Sequence, residues 1–281
     1  MYPQSLRLVV EEEMETQWTF DSDFTRGYTK VRQAFTAALL EELRKEIDIG
    51  SALDVGCGVG YFSKFLSDMR LEVTAIDGRE ENIAEAKRRY PEIGFFTRNV
   101  EDSTLPEIGT FDFVLCVGLL YHLENPLRAI RNLRGMTAKV LLVESMCIPG
   151  RDASMALLDE DRAHDQGLEY VAFYPTEACL IKMLYRAGFP FVYEFKRLPA
   201  DPQFSTTVWR KQSRTFLAAS LLPLTMPNLA LAVERSQPVQ AHSDRWRTNP
   251  SKVRDFWRSR LLRMRAWAAR RARSVRGSTS T

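Results

Sequence analysis

Three glycines at alternate positions after a short apolar segment constrain the fold of this chain more than any other feature. The segment runs from Ala52 to Ser63 and reads ALDVGCGVGYFS, with Asp54 before the glycines at 56, 58 and 60. Glycine is favoured where the backbone takes a positive φ or lies against a ligand, and the first turn of a following helix offers unpaired N–H groups. The pattern therefore predicts a buried strand, a ligand-binding loop and a helix that begins near Val59.

The spacing of these glycines disagrees with two common phosphate-binding loops. A dinucleotide-binding loop has the pattern G-x-G-x-x-G, whereas this chain has G-x-G-x-G followed by Tyr61. A P-loop has Lys followed by Ser or Thr after its last glycine, and this chain has Tyr61 and Phe62 there. The loop is therefore expected to hold a small polar ligand of another kind.

The segment resembles the first motif of class I S-adenosylmethionine-dependent methyltransferases, in which an acidic residue and G-x-G-x-G follow the first strand. The resemblance covers roughly Ser51 to Ser220. It implies an α/β, Rossmann-like, seven-stranded and mostly parallel sheet with helices on both faces, and with strand seven antiparallel between strands five and six. It implies S-adenosyl-L-methionine as the cofactor and assigns its methionine part to Gly56, Gly58 and Gly60. It also implies that Asp54 orients that loop and helps to hold the amino group, and that Cys57 belongs to the same set of contacts.

A second candidate cofactor contact follows the next strand. Leu71 to Asp77 reads as a buried strand that ends in an acid. A carboxylate at the carboxyl end of a parallel strand faces the ligand crevice and accepts hydrogen bonds from ribose hydroxyls. Asp77, with Gly78 beside it, is therefore predicted to bind the ribose. The alternative is that Asp77 only stabilises the N-terminus of a helix over 80–90.

The end of the third strand, predicted over 95–98, is expected to meet the adenine. The resemblance assigns the adenine contacts to Asn99 and Val100, although the family usually has Asp at the first of these positions. Asn can still accept a hydrogen bond through its carbonyl oxygen, and Asp102 is a rival for the contact.

The fourth strand, Phe111 to Val117, is an apolar run typical of a strand buried on both faces of a parallel sheet. The resemblance places Gly118 and Leu119, directly after it, beside the sulfonium side of the cofactor. The segment between Ser51 and Glu144 alternates strands with helices, which favours a parallel α/β sheet.

A hydroxyl acceptor needs a base near the proton that it loses. The candidates are His122 just past strand four, His164 in an irregular segment expected over 145–174, and Glu144 at the end of strand five. His122 is alternatively a hydrogen-bonded residue that shapes the floor of the pocket, and a nitrogen or carbon acceptor needs no base. No metal site is predicted, since the four cysteines show no C-x-x-C spacing.

These observations predict methyl transfer to a small-molecule, sugar or lipid-linked acceptor, at oxygen. Segments 118–122 and 169–176 also resemble the catalytic domain of bacterial transferases that modify the wobble uridine of tRNA with a carboxylated cofactor. A tRNA-modifying (carboxy)methyl transferase is therefore an alternative. A noncatalytic scaffold that binds S-adenosylmethionine is another.

Three regions are expected along the chain: an N-terminal helical cap at 1–48, the methyltransferase domain at 49–220 and a C-terminal extension at 221–281. The cap is predicted to contain a helix from about Thr29 to Lys45. Aromatic residues before it either cover the acceptor or pack the helix on the sheet. The apolar stretch 216–233 is rejected as a membrane span because Pro223 and Pro227 interrupt it.

The C-terminal extension is strongly basic. Arg245 to Thr281 contains eleven Arg and one Lys against the single acid Asp255, a net charge of +11, so the rest of the chain carries −8. Apolar residues at helical spacing predict a basic amphipathic helix over about 250–275. An anionic membrane surface, RNA or the protein's own acidic surface would suit it. With no secretory signal in the first residues, the sequence predicts a cytoplasmic protein, with peripheral contact at the inner membrane surface as a hypothesis.

Overall fold

The computed structural model describes residues 18–160, 166–206 and 212–234. The strands are β1 Ser51–Val55, β2 Glu72–Asp77, β3 Gly94–Thr97, β4 Phe111–Val117, β5 Thr137–Cys147, β6 Met155–Asp159, β7 Val171–Pro175, β8 Phe191–Phe195, β9 Ser213–Ser220 and β10 Leu229–Leu231. The α-helices are α1 Asp23–Glu46, α2 Tyr61–Asp68, α3 Glu80–Arg89, α4 Pro126–Met136 and α5 Glu177–Arg186. The predicted C-terminal amphipathic helix and His164 lie outside the described residues.

Eight of these strands form one mostly parallel sheet in the order β10-β8-β9-β5-β4-β1-β2-β3. β3, β2, β1, β4 and β5 are mutually parallel, while β9 runs antiparallel to both β5 and β8. The predicted Rossmann-like α/β fold is therefore confirmed. The antiparallel strand that was expected between strands five and six of the sheet is β9, which lies between β5 and β8. The predicted count of seven strands is wrong, because β10 pairs antiparallel with β8 at the edge.

The centre of the sheet is buried on both faces. Along β5, Val140 and Leu142 pack in one hydrophobic cluster with α1, while Leu141 and Val143 pack in another with α4 and α5. Successive side chains of a strand point to opposite faces, so this alternation places helices on both sides. The continuous apolar sequence of β4 and β5 reflects that environment.

Two elements differ from the sequence-based expectation. The stretch expected to be irregular contains a separate antiparallel hairpin of β6 and β7, joined from Met155 opposite Pro175 to Asp159 opposite Val171. Four of the five residues of β6 are exposed, so its sequence lacks the alternation that signals a half-buried strand. Helix α1 begins at Asp23 instead of about Thr29, because the Ser22 side chain accepts a hydrogen bond from the backbone of Thr25 and caps the helix.

No helix within the described ranges is both long and apolar enough to cross a membrane.

Candidate active site

A cleft of about 330 Å³ opens where β1, β2 and β4 end, and residues from all three strand ends line it. The chain proceeds from β1 to β2 and β3 on one side and returns to β4 and β5 on the other. This reversal of strand order separates the loops and forms the crevice in which ligands of open α/β sheets bind. All the predicted cofactor contacts except Asp54 and Gly60 line this cleft.

The three-glycine loop takes the left-handed backbone that its sequence predicts. The φ angles of Gly56, Gly58 and Gly60 are 73°, 52° and 89°. A Cβ atom on Gly58 would also lie 3.0 Å from the ring of Phe20, which comes from the N-terminal segment. A side chain at this position is therefore opposed by both conformation and space.

Asp54 lies beneath the loop instead of facing the cleft. Its carboxylate is buried and accepts a hydrogen bond of 2.6 Å from the hydroxyl of Ser63 in α2. Burial raises the pKa of Asp54 to about 7, and the hydrogen bond from Ser63 opposes this shift. The structure therefore agrees with a role in orienting the loop. It offers no direct path from this carboxylate to a cofactor amino group.

Asp77 connects the glycine loop to the start of α3. Its Oδ2 accepts from the Gly58 N–H at 2.9 Å, and its Oδ1 accepts from the Arg79 N–H at 2.9 Å and from Asn82 at 3.1 Å. Burial raises the pKa of Asp77, and the two backbone hydrogen bonds counteract that rise. Both interpretations of the sequence are thus visible, since this residue holds the helix start and also faces the cleft.

The residues around Asp77 can accept a ribose. A carboxylate offers about four lone-pair sites, and these three hydrogen bonds leave one of them on Asp77. Next to it, Oδ1 of Asn82 is buried and has no hydrogen-bond donor among the described residues. Buried oxygens are rarely left without a donor. Two neighbouring acceptors are therefore available for two adjacent hydroxyl groups.

The predicted adenine side of the cleft contains Asn99 and Val100. The Asn99 Oδ1 accepts from the backbone N–H of Glu101 at 2.9 Å, which leaves its amide donors free for a ligand. Asn132 donates to the carbonyls of Val100 and Asp102 and fixes this turn. Asp102, the rival contact, lines a separate neighbouring pocket.

Gly78, Gly118 and Leu119 complete the predicted cofactor contacts. Leu168, in the segment that connects β6 to β7, lies where a side chain on Gly78 would be, at 2.8 Å from its Cβ position. Gly118 has a φ of 76°, and a Cβ atom at this position would lie 3.1 Å from Nη1 of Arg32. Leu119 fills the space beside Gly56.

His122 forms a buried pair with Glu160. Its Nδ1 lies 2.5 Å from Oε1 of Glu160, and Oε2 of Glu160 accepts from the N–H of Gly167 at 3.0 Å. The two side chains are 10% and 5% exposed, and His122 lines the cleft. A carboxylate on Nδ1 holds the imidazole in the tautomer whose Nε2 is a proton acceptor. His122 therefore lines the cleft with a carboxylate that orients its ring, and its role as a base stays a prediction.

Glu144 is placed differently from the other candidate bases. It is fully buried and absent from the cleft lining, and its Oε1 accepts from the hydroxyl of Tyr28 and from Arg214, both at 3.0 Å. Its Oε2 lies 3.6 Å from Nη1 of Arg32. Glu144 therefore holds Arg32 and Arg214 behind the cleft lining, and its role as a base stays a prediction.

Sequence analysis missed several residues of the site. Glu160 had no signal, because it pairs with His122 across 38 positions and directly follows a strand that was not predicted. Asn82 sits five residues after Asp77 and carried no motif. Arg32 and Arg214 are separated by most of the chain and meet at Glu144 and over the ring of Tyr28. No group of three or more metal-ligating side chains occurs within the described ranges.

A glycine loop at the switch point of a Rossmann-like sheet, facing a strand-end carboxylate, defines an α/β protein that binds a nucleotide-derived cofactor. Residues 53–139 match the family model for a methyltransferase domain. This segment is therefore an S-adenosylmethionine-dependent methyltransferase domain, as the glycine motif predicted, and S-adenosyl-L-methionine is the cofactor of the class.

Two kinds of curated relatives match parts of the chain. A tRNA U34 carboxymethyltransferase from Actinobacillus succinogenes is 30% identical over 148 residues, which are 50% of this chain and 44% of that protein. A ubiquinone biosynthesis O-methyltransferase from Xanthomonas oryzae pv. oryzae is 31% identical over 124 residues, which are 42% of this chain and 50% of that protein. The chain thus spans half or less of the length of these relatives.

A solved structure supports the fold over a larger part of the chain. The N-terminal domain of EvdMO1 with SAH bound aligns with a TM-score of 0.60 at 18% identity, covering 78% of this chain and 98% of that one. The similarity extends the Rossmann-like assignment beyond the family match.

Proposed function

We propose that this chain is an S-adenosylmethionine-dependent methyltransferase that methylates an oxygen of a small-molecule, sugar or lipid-linked acceptor. The observation that carries the proposal is that one cleft joins the three-glycine loop and Asp77 to the His122–Glu160 pair. The first group of residues suits a cofactor with a ribose. The second suits removal of a proton from a hydroxyl.

Different residues of the cleft would hold different parts of the cofactor. The glycine loop and Cys57 would hold its methionine part, and Asp77 with Asn82 its ribose. Asn99 and Val100 would hold the adenine, and Gly118 with Leu119 its sulfonium side. The chemistry that the bound cofactor supplies is an electrophilic methyl group on sulfur.

The protein's own contribution is to place the acceptor and receive its proton. Alignment of two reacting groups supplies much of the rate of a displacement reaction. With Nδ1 paired to Glu160, Nε2 of His122 accepts the proton of the acceptor hydroxyl. Glu160 stabilises the imidazolium that results, and the N–H of Gly167 holds Glu160 in place.

Cofactor binding is tested by titration with S-adenosylhomocysteine. Replacing Asp77 with Ala removes the acceptor for the Gly58 N–H and the ribose, so we expect the affinity to fall by a factor of ten or more. Asp68→Ala is the matched control, because this carboxylate is exposed on α2 and pairs only with Lys64. Equal affinities of the Asp77 variant and the wild type would contradict the ribose assignment.

Methyl transfer is tested with labelled S-adenosylmethionine and a bacterial extract separated into RNA, lipid and small-molecule fractions. Label in the lipid or small-molecule fraction supports the proposal, provided that His122→Ala abolishes it. Binding of the cofactor without transfer to any fraction would favour the noncatalytic scaffold.

A second candidate, tRNA-modifying (carboxy)methyl transfer, is favoured by the carboxymethyltransferase relatives at 30–33% identity. It predicts label in the RNA fraction of the same experiment. Salt should weaken RNA binding steeply in that case, because contacts with phosphates release counterions.

The basic C-terminal segment is proposed to contact an anionic membrane surface, because the sequence from Arg245 to Thr281 contains eleven arginines and one lysine but only one acidic residue. A version that ends at Pro250 should then lose binding to vesicles that contain anionic lipid. Unchanged vesicle binding would contradict this role.

A further inference from the structure

Two buried guanidinium groups line the cleft at the end opposite the predicted adenine contacts. They belong to Arg32 of α1 and Arg214 of β9, which we call the arginine pair. Their side chains are only 10% and 11% exposed. Buried arginines are rare unless their charge is compensated.

A single carboxylate compensates this pair. Glu144 lies 3.0 Å from Nη1 of Arg214 and 3.6 Å from Nη1 of Arg32, and it is fully buried behind the cleft lining. Among the ion pairs of these two guanidinium groups, two positive charges against one negative charge leave an excess of one positive charge; Glu160, the other buried carboxylate at this end, is paired with His122. The carboxylate among the lining residues, Asp77, belongs to the ribose end and is committed to Gly58 and Arg79.

The two arginines differ in how many of their side-chain N–H groups are hydrogen-bonded. Arg214 uses all three nitrogens, donating to Gln203, Glu144 and the hydroxyl of Tyr121. Arg32 has five N–H groups, yet within the described ranges its hydrogen bonding is limited to one donation of 3.3 Å to Thr29, and its Nε has no acceptor.

The pair lies close to the proposed base. Nη2 of Arg214 contacts the hydroxyl of Tyr121 at 3.1 Å, and the ring of Tyr121 lies 4.0 Å from the imidazole of His122. One side chain therefore separates the excess positive charge from the residue that receives the proton. A small molecule can reach both.

We propose that the arginine pair binds a carboxylate of the acceptor, so that the substrate is a hydroxylated carboxylic acid whose hydroxyl faces His122. One carboxylate matches the excess of one charge, and its two oxygens match the geometry of a guanidinium edge. The inference rests on the proposed function, and it narrows the acceptor to one chemical class.

The test compares two probes of the same shape that differ in charge. The affinities of 4-hydroxybenzoate and 4-hydroxybenzamide are measured by calorimetry on the full chain with saturating S-adenosylhomocysteine. We expect the acid to bind the wild type about tenfold more tightly than the amide, as charge-assisted hydrogen bonds predict. Equal or undetectable binding of both probes would overturn the proposal without any variant.

Variants locate the source of the preference. Arg32→Gln should bring the ratio of the two affinities close to one, whereas Arg32→Lys should retain part of it. Arg98→Gln is the matched control, because Arg98 lines the same cleft near Asn99 and donates only to the neighbouring carbonyl of Thr97. A ratio that survives in Arg32→Gln would overturn the assignment to this residue.

Two further arms exclude other sources of negative charge. Tighter binding of phenyl phosphate than of the acid would replace the carboxylate with a phosphate. The affinity for a donor whose methyl group carries a carboxylate is compared with the affinity for S-adenosylmethionine. If Arg32→Gln lowers only the affinity for the carboxylated donor, the arginine pair binds the donor and the proposal fails. Binding of S-adenosylhomocysteine is recorded separately, so failure of the proposed function is distinguishable from failure of this inference.

Discussion

Replacing Glu144 with Gln should destabilise the protein strongly, because this side chain is the only described carboxylate that compensates Arg32 and Arg214. The substitution preserves size but removes the charge, and the amide nitrogen of Gln is a donor that faces other donors. The contacts from Tyr28 and Arg214, both at 3.0 Å, go to Oε1, so the Gln oxygen keeps them only in the orientation that turns its NH2 group towards Arg32. Breaking a buried ion pair from one side costs about 3–5 kcal/mol. At about 2–4 °C per kcal/mol for a domain of 150–250 residues, the melting temperature should fall by roughly 6–20 °C.

The assay is urea unfolding followed by circular dichroism, with Glu42→Gln as the control. Glu42 forms an exposed ion pair with Lys45, and removal of such a pair changes stability by less than about 1 kcal/mol. A loss below about 1 kcal/mol in Glu144→Gln, together with loss of methyl transfer, would refute this reasoning. That result would support Glu144 as a base, because replacement of a catalytic carboxylate removes activity without a large loss of stability.

Three other predictions test the remaining parts of the site. His122→Ala should lower the initial rate of methyl transfer by about 10²–10⁴ with the affinity for S-adenosylhomocysteine unchanged, and Glu160→Gln should lower it less; rates within twofold of wild type would remove the pair from the mechanism. Gly58→Ala should weaken binding of S-adenosylhomocysteine, because the φ of this residue is 52° and the new Cβ atom has no room. Gly27→Ala should leave the affinity unchanged, because the space around Gly27 in α1 is open. The two variants are compared by titration. Asp54→Asn should change how stability depends on pH. The pKa of Asp54 is raised by burial from 3.8 to about 7, so the folded state keeps a proton that the unfolded state has lost between these values. Stability from this group therefore falls as the pH rises towards 7, and the variant should gain stability over wild type across that range; parallel urea midpoints from pH 4 to pH 8 would contradict the shift.

The cofactor end of the cleft was predictable because its determinants are local. The glycine loop and Asp77 lie within one strand–loop–helix–strand unit, and positive φ at alternate glycines is a property that a short motif encodes. The sheet order followed from the alternation of strands and helices and from the resemblance. The edge strand β10 was missed because three residues are too short to show a pattern.

The acceptor end was not predictable, because its residues meet only through long-range packing. Glu160 reaches His122 from a hairpin whose exposed strand has no apolar alternation. Arg32 and Arg214 are ordinary polar residues in sequence, and their function arises from sharing Glu144 inside the fold. The single acid at the end of β5 was identified as chemically important, but its role depends on neighbours that the sequence does not reveal.

The two ends of the cleft draw on different parts of the chain. Residues 53–139, which match the family model, contain the glycine loop and Asp77, whereas Arg32, Glu160 and Arg214 lie outside that segment. They come from α1, the hairpin and β9, three elements that a chain can alter without disturbing the loop between β1 and α2. We therefore expect substitutions of these three residues to change which molecule is methylated before they change how the cofactor binds.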